Sequence, residues 1–92
     1  MDYEVTPDEI RIKVGDDDYA VLAYHIEGKR IFLDSTYTPD GHRGHGIGGK
    51  LVVAAVDYAR TKGYSIVPVC PFTVGYFKKH PEYDEILEKG TI

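Results

Sequence analysis

Arg43-Gly44-His45-Gly46-Ile47-Gly48-Gly49-Lys50 places four glycines in eight residues, between a strand-like run ending near Thr38 and an apolar helical run beginning at Leu51. Glycine has no Cβ, so such a stretch can bend through positive φ and bring its backbone close to a ligand. At the start of a helix the first N–H groups have no partner within the helix, and with the helix dipole they form a site for anionic oxygens. Phosphate is the natural guest. The octapeptide fits three phosphate-binding templates at once, and the chain around it must decide between them.

N-terminal to the glycines the sequence reads as an antiparallel meander. Asp8 to Val14 alternates, with Ile10, Ile12 and Val14 on one face and Arg11 and Lys13 on the other, the pattern of a strand covered on one side. Gly15-Asp16-Asp17-Asp18 reads as a solvated hairpin turn rather than a cation loop, whose ligands need a longer and more regular spacing. Tyr19 to Ile26 is apolar on both faces, which predicts helices on both sides of the sheet. Glu27-Gly28-Lys29 is a hairpin loop, Arg30 to Thr38 is the third strand, and Pro39-Asp40-Gly41 breaks it.

C-terminal to the glycines the period changes. From Gly46 to Lys62 the polar residues Lys50, Asp57, Arg60 and Thr61 share one narrow arc of a helix whose remaining surface is apolar, so the helix is largely buried, and Gly63 closes it. Tyr64 to Val69 is a fourth strand, and a strand–helix–strand crossover places it parallel to the third. Pro68 removes a ladder hydrogen bond, so the two parallel strands should part at this end and open a gap beside the glycines. Phe72 to His80 forms a second helix that His80-Pro81 ends, and Tyr83 to Lys89 adds a helical turn. The fold class is α/β (α+β): a mixed sheet of three antiparallel strands, a crossover with a splayed parallel pair, and two main helices.

Ninety-two residues, 42% of them hydrophobic, make one domain over residues 1–92, with no room for separate cofactor and substrate domains. Met1-Asp2-Tyr3-Glu4 has neither the basic region nor the apolar core of a signal peptide, and no apolar run approaches membrane-spanning length. A cytoplasmic protein without a membrane partner is expected. Cys70, the single cysteine, cannot form an internal disulfide, and His25, His42, His45 and His80 lack zinc-site spacing, so no metal is expected. A formal charge of −4 speaks against general nucleic-acid binding and mildly favours cationic partners.

The neighbours of the glycines remove two templates. Gly44-x-Gly46-x-x-Gly49 matches the dinucleotide fingerprint, but an antiparallel meander precedes it and the region Ile66 to Phe72 holds no acid for a ribose. Gly44-x-x-x-x-Gly49-Lys50 matches a Walker A loop, but Leu51 stands where Ser or Thr must bind Mg²⁺, and the fourth strand ends without the second metal-binding Asp. The third template is Arg43-x-x-Gly46-x-Gly48, and on these residues the chain resembles the GNAT N-acetyltransferase superfamily, whose acetyl-CoA signature has this form between a strand and a helix. Leu51, Pro68-Val69-Cys70, Tyr76 and His80-Pro81-Glu82-Tyr83 extend the resemblance to the minimal single-domain GNAT-like proteins over nearly the full length. His45 departs from the pattern, standing where Lys or Gln is common, and the helices that cover the acceptor site in larger relatives are missing.

The resemblance implies an enzyme, an N-acetyltransferase with acetyl-CoA as cosubstrate and an amine acceptor; the uncovered acceptor side suggests a large one, such as a protein or peptide, and a monomer is expected. It implies a cofactor site of Thr38, Arg43, Gly44, His45, Gly46, Ile47, Gly48, Gly49, Lys50, Pro71 and Phe77, with pantetheine in the gap between the third and fourth strands. The alternative is a non-catalytic acyl-CoA-binding module or sensor. Acetyl transfer needs a neutral amine, oxyanion stabilisation and a proton for the departing thiolate. Cys70 is the first catalytic candidate, at the ligand edge beside a helix N-terminus that favours its thiolate; the competing reading is a small buried hydrophobe. Tyr76 either protonates the CoA sulfur or packs against the cofactor. His25 alternates with apolar neighbours and reads as a core or substrate-face histidine rather than a base.

Overall fold

Alternating apolar residues commit the first half of the chain to strands, and in the computed structural model, which describes residues 2–90, four of them follow one another as an antiparallel meander. Met1, Thr91 and Ile92, which the expected domain of 1–92 includes, lie outside the described residues. The strands are β1 (Glu4–Val5), β2 (Glu9–Val14), β3 (Asp18–Glu27) and β4 (Arg30–Tyr37). A 3₁₀ turn (Asp40–His42) leads to helix α1 (Ile47–Lys62), then β5 (Ser65–Pro68), helix α2 (Pro71–Lys79) and a second 3₁₀ segment (Pro81–Ile86). The five strands lie in sequence order in one sheet, with β5 parallel to β4, so the crossover through α1 runs as expected.

β1 is an addition to the expected strands. Two residues carry no alternation, and the pairing depends on a turn whose geometry is local: the Glu9 N–H donates to Thr6 Oγ1 at 3.0 Å and the Thr6 N–H to the Glu9 carbonyl at 2.8 Å. The Tyr3 hydroxyl, donating to Asp57 Oδ2 of α1 at 2.7 Å, ties this end of the sheet to the helix.

One face of the sheet carries the core. Ile10, Leu22, Ile31 and Leu33 from the strands join Leu51, Val52 and Ala55 of α1 and Phe77 of α2 in a single buried cluster. The exposed arc of α1 includes Lys50, Asp57, Arg60 and Thr61, as its sequence requires, and Gly63 ends it at φ +76°. The other face differs from expectation. Ala20, Leu22 and Tyr24 of β3 are buried, whereas Tyr19, Val21 and Ala23 are half-buried, and both helices pack into the same core. The partners of these residues on β2 explain the pattern: Lys13 faces Tyr19, Arg11 faces Val21 and Glu9 faces Ala23. The stems of long charged side chains shelter small apolar neighbours without a helix.

The parallel pair separates just beyond Pro68, but not through a ladder bond lost there: alternate residues of this stretch donate toward β4, Ser65 to the Lys29 carbonyl and Val69 to that of Leu33, and Pro68 lies between them. Leu33↔Pro68 is its last pair, and the Leu33 carbonyl accepts both the Val69 N–H at 3.0 Å and the Cys70 N–H at 3.2 Å. Among the described residues, β4 continues to Tyr37 with no strand beside it on that flank. The outer edge of β5 is covered instead by the chain's last turn, where Glu88 N–H donates to the Ile66 carbonyl at 2.9 Å. The helical turn expected over Tyr83 to Lys89 is the 3₁₀ segment, and residues 87 and 88 are this bridge. Among the described residues no helix is long and apolar enough to cross a membrane.

The one-sided core has a direct test. Leu22→Ala should lower the free energy of unfolding by about 2–5 kcal/mol, and Val21→Ala on the opposite face by about 1 kcal/mol or less, read from urea denaturation. Equal losses would mean that both faces are packed.

Candidate functional site

The four glycines of the loop serve two different purposes. Gly44 and Gly46 adopt φ of +84° and +73°, the left-handed region that side chains with a Cβ rarely enter. This bend turns the chain into α1 with Gly46 as its N-cap, no side chain capping the helix and no acidic residue in its first turn. The helical ladder begins with the Lys50 N–H on the Gly46 carbonyl, 3.2 Å away, so the N–H groups of Ile47, Gly48 and Gly49 have no partner within the helix. Gly48 and Gly49 are needed for a different reason. A Cβ on Gly48 would lie 2.7 Å from Phe72 Cζ, and one on Gly49 would lie 3.3 Å from Tyr76 Cε2, so these two residues let α2 settle against the first turn of α1.

A cavity of about 470 Å³ opens there, between the end of β4, the glycine loop and α2. Of the expected cofactor residues, Thr38, Arg43, Gly44, Gly46, Ile47, Gly48 and Gly49 line it. Thr36, Tyr37, His42 and Phe72, which were not expected, line it too. His45 and Lys50 stand beside it on the surface. The Arg43 guanidinium braces the loop, its Nε–H donating to the Thr38 carbonyl at 3.1 Å and its Nη2 lying 3.3 Å from Asp40 Oδ1. A second cavity, about 340 Å³, lies between α2 and the C-terminal segment and includes no residue of the glycine loop.

Helix α2 sorts the remaining candidates. Pro71 is exposed in its first turn, and Cys70 is its N-cap residue. Cys70 is 9% exposed; its thiol donates to Thr73 Oγ1 at 3.4 Å, and the Thr73 hydroxyl donates back to the Cys70 carbonyl at 3.0 Å. Phe77, expected at the cofactor, is instead a core residue with 1% exposure. At a helical turn of 100° per residue, Phe72 and Tyr76 share the face toward α1, and Phe77 turns away from it toward the sheet. The aromatic residue that α2 gives the cavity is therefore Phe72, which is 46% exposed.

The Tyr76 ring stacks on His80, with centroids 4.1 Å apart, and its hydroxyl would lie 3.9 Å from a Cβ placed on Gly49. Burial, with the electrostatic effects of Tyr83 and Glu82, pushes the Tyr76 phenol above its ordinary range. It stays protonated at neutral pH and is equipped to donate.

His25 is not a core residue. It lies exposed on the helix-free face, its ring parallel to Phe32 with centroids 4.6 Å apart. Its Nδ1 is 2.6 Å from Asp34 Oδ2, and its Nε2 is 3.1 Å from Glu27 Oε2. These carboxylates, Asp34 foremost, raise the His25 pKa. Sequence reasoning passed over Asp34 because the two residues meet only through the β3–β4 pairing and a bulge at Asp34, and no local motif announces a bulge.

The sequence model of the GCN5-related N-acetyl-transferase family matches residues 9–86, and the chain belongs to that family. It is 38% identical over 74 residues to Protein NATD1 of Gallus gallus and to Protein NATD1 of Homo sapiens. The match covers 77% of this chain and 67% and 66% of those proteins, about two thirds of their length. In fold it resembles the NMR solution structure of a GCN5-like protein from Staphylococcus aureus, with a TM-score of 0.69 at 23% identity over 97% of this chain and 92% of that one. The mixed sheet with its crossover helix is thus the GNAT fold expected from the glycine motif.

The histidine environment predicts a pH effect. Because the folded state raises the His25 pKa, its contribution to stability is complete below the unfolded value of about 6.5 and is lost as pH rises through the folded value. An NMR titration should place the His25 pKa above that of an unperturbed imidazole, and Asp34→Asn should return it toward that value. A wild-type pKa that is unshifted or lowered would contradict the observed bonding.

Proposed function

We propose that this protein binds acetyl-CoA and transfers the acetyl group to an amine. One juxtaposition carries the reading: the uncapped first turn of α1 opens on a cavity beside the point where β4 and β5 part. The donor set fits a pyrophosphate. Three amides without helical partners, at Ile47, Gly48 and Gly49, would receive its oxygens, and no carboxylate in that turn would repel them. Arg43 and Lys50 supply positive charge at the rim, and the flank of β4 beyond Leu33 leaves room for a pantetheine arm. Family membership supports the same chemistry.

Acetyl-CoA supplies an activated acyl group, a thioester whose sulfur leaves as a thiolate. The chain's own residues then have few tasks. Tyr76, held protonated and placed over the first turn of α1, is suited to give the departing sulfur its proton. Cys70, the first candidate from sequence, is buried with its thiol and carbonyl both bonded to Thr73. That bonding supports a structural role in starting α2 and a direct transfer that does not pass through an acetyl-cysteine.

Thermal unfolding tests the binding. Acetyl-CoA or CoA at 100 times its Kd should stabilise the fold by about 2.7 kcal/mol, and ATP or NADH at the same concentration should not. A rise of equal size with ATP or NADH would indicate a general phosphate site, and no rise with acetyl-CoA would remove the reading. For turnover, Tyr76→Phe should lower kcat by about tenfold or more while cofactor affinity is retained, and Cys70→Ala should stay within about threefold of wild type. Loss of activity in Cys70→Ala with binding retained would restore the cysteine as the reacting group.

A further inference from the structure

Tyr76, the proton donor assigned above, is held by packing alone. The hydroxyls of Tyr3 and Tyr24 donate to Asp57 and to the Thr6 carbonyl, whereas among the described residues that of Tyr76 has no hydrogen-bond partner. Its direction therefore depends on what touches the ring. On the side of α1 the contact is with backbone, where a Cβ on Gly49 would lie 3.3 Å from Tyr76 Cε2. His80 covers a ring face, its plane within 23° of the tyrosine's and its centroid 4.1 Å away. Phe72, Phe77 and Tyr83 stand farther out, with centroids 6.3, 6.0 and 6.5 Å from that of Tyr76.

His80 is itself held at three points. Pro81 has no N–H to give the Phe77 carbonyl, and the His80 N–H takes that acceptor instead, at 3.3 Å, so α2 ends here. The His80 carbonyl accepts the Tyr83 N–H at 3.1 Å as the chain enters the 3₁₀ segment. Its Nδ1 lies 3.2 Å from Glu82 Oε2, which sets the ring as well as the backbone. Four positions after Tyr76, the histidine lies on the same helical face. The run His80-Pro81-Glu82-Tyr83 thus builds a fixed plate against one tyrosine.

We propose that His80, oriented by Glu82, is a positioning residue of the acetyl transfer, holding the Tyr76 hydroxyl in line for proton transfer. The inference rests on the acetyl-transfer reading. In that reaction the acceptor nitrogen forms the C–N bond and sheds a proton to water, and the C–S bond breaks with its electron pair on sulfur. Tyr76 gives the sulfur its proton, and water returns one to the phenolate. His80 exchanges no proton in these steps and acts by contact. Without the plate the tyrosine ring is free to leave its rotamer, and a donor that must first be brought into line transfers its proton more slowly. The same cover keeps water from one ring face, and burial is the foremost reason that the Tyr76 phenol stands above its ordinary range.

Two single variants and a double variant test the assignment. His80→Ala removes the plate and leaves the backbone bonds, while His80→Phe keeps a flat ring without its nitrogens. With a lysine-containing peptide as acceptor and release of CoA as the readout, His80→Ala should lose about tenfold in kcat with acetyl-CoA affinity unchanged, and His80→Phe should stay within about threefold of wild type. In a Tyr76→Phe background, His80→Ala should cost less than about twofold more, because no donor is left to position. A pH titration of the Tyr76 ring signals by NMR should find the phenol pKa moved toward its ordinary value by His80→Ala and kept raised by His80→Phe. A tenfold loss in both backgrounds, equal losses from Ala and Phe, wild-type turnover in His80→Ala, or a Tyr76 pKa that His80→Ala leaves in place would each overturn the assignment. Wild type that acetylates the peptide while His80→Ala matches it would remove this inference alone; wild type that releases no CoA to the peptide would remove the acetyl-transfer reading with it.

Discussion

The Leu33 carbonyl accepts two backbone N–H groups, those of Val69 and Cys70, at the point where β5 stops. The Val69 N–H is the last regular donor of the ladder, in the row that Ser65 opens on the Lys29 carbonyl, and the Cys70 N–H then turns onto the same Leu33 oxygen instead of carrying the ladder on. Three features follow from that convergence. β4 runs on to Tyr37 with an open flank, Cys70 is left in position to start α2, and the first turn of α2 is brought against the first turn of α1. Cavity, loop and both helix starts then lie at one end of the sheet. A ladder that continued would have filled the opening with another pair of strand residues.

The loop meets this opening through a division of labour that its spacing alone does not reveal. Gly44 and Gly46 supply positive φ, and Gly48 and Gly49 supply closeness to Phe72 and Tyr76. An alanine in the first pair strains the backbone; an alanine at Gly48 would displace an aromatic ring. The motif therefore encodes a bend and a helix–helix contact together, and the unpartnered amides of the first turn are left facing the cavity by both.

Much of this was legible in the sequence because it depends on periodicity or on residues with special backbones. The alternation of Ile10, Ile12 and Val14, the polar arc of Lys50, Asp57, Arg60 and Thr61 and the terminating Gly63 all act locally, and each has the consequence its chemistry dictates, whereas the strands part just beyond Pro68 without losing a β4 bond to it. What escaped depends on partners distant in sequence. β1 needs the Thr6 turn, and the open face of β3 is sheltered by Arg11 and Lys13 across the pairing. The exchange of Phe77 for Phe72 at the cavity follows from how α2 rolls on the core, and the meeting of His25 with Asp34 requires a bulge. The sequence puts Cys70 directly after β5, but its burial and its bonds to Thr73 are set by tertiary packing.

The claim on which the rest stands is that the first turn of α1 binds the pyrophosphate of acetyl-CoA. Backbone amide NMR during an acetyl-CoA titration tests it most directly. The account predicts that the Ile47, Gly48 and Gly49 amides shift to lower field as they gain acceptors, with Val69 and Cys70 at the strand opening moving in step. Saturation that leaves those three amides in place while signals elsewhere move would contradict it.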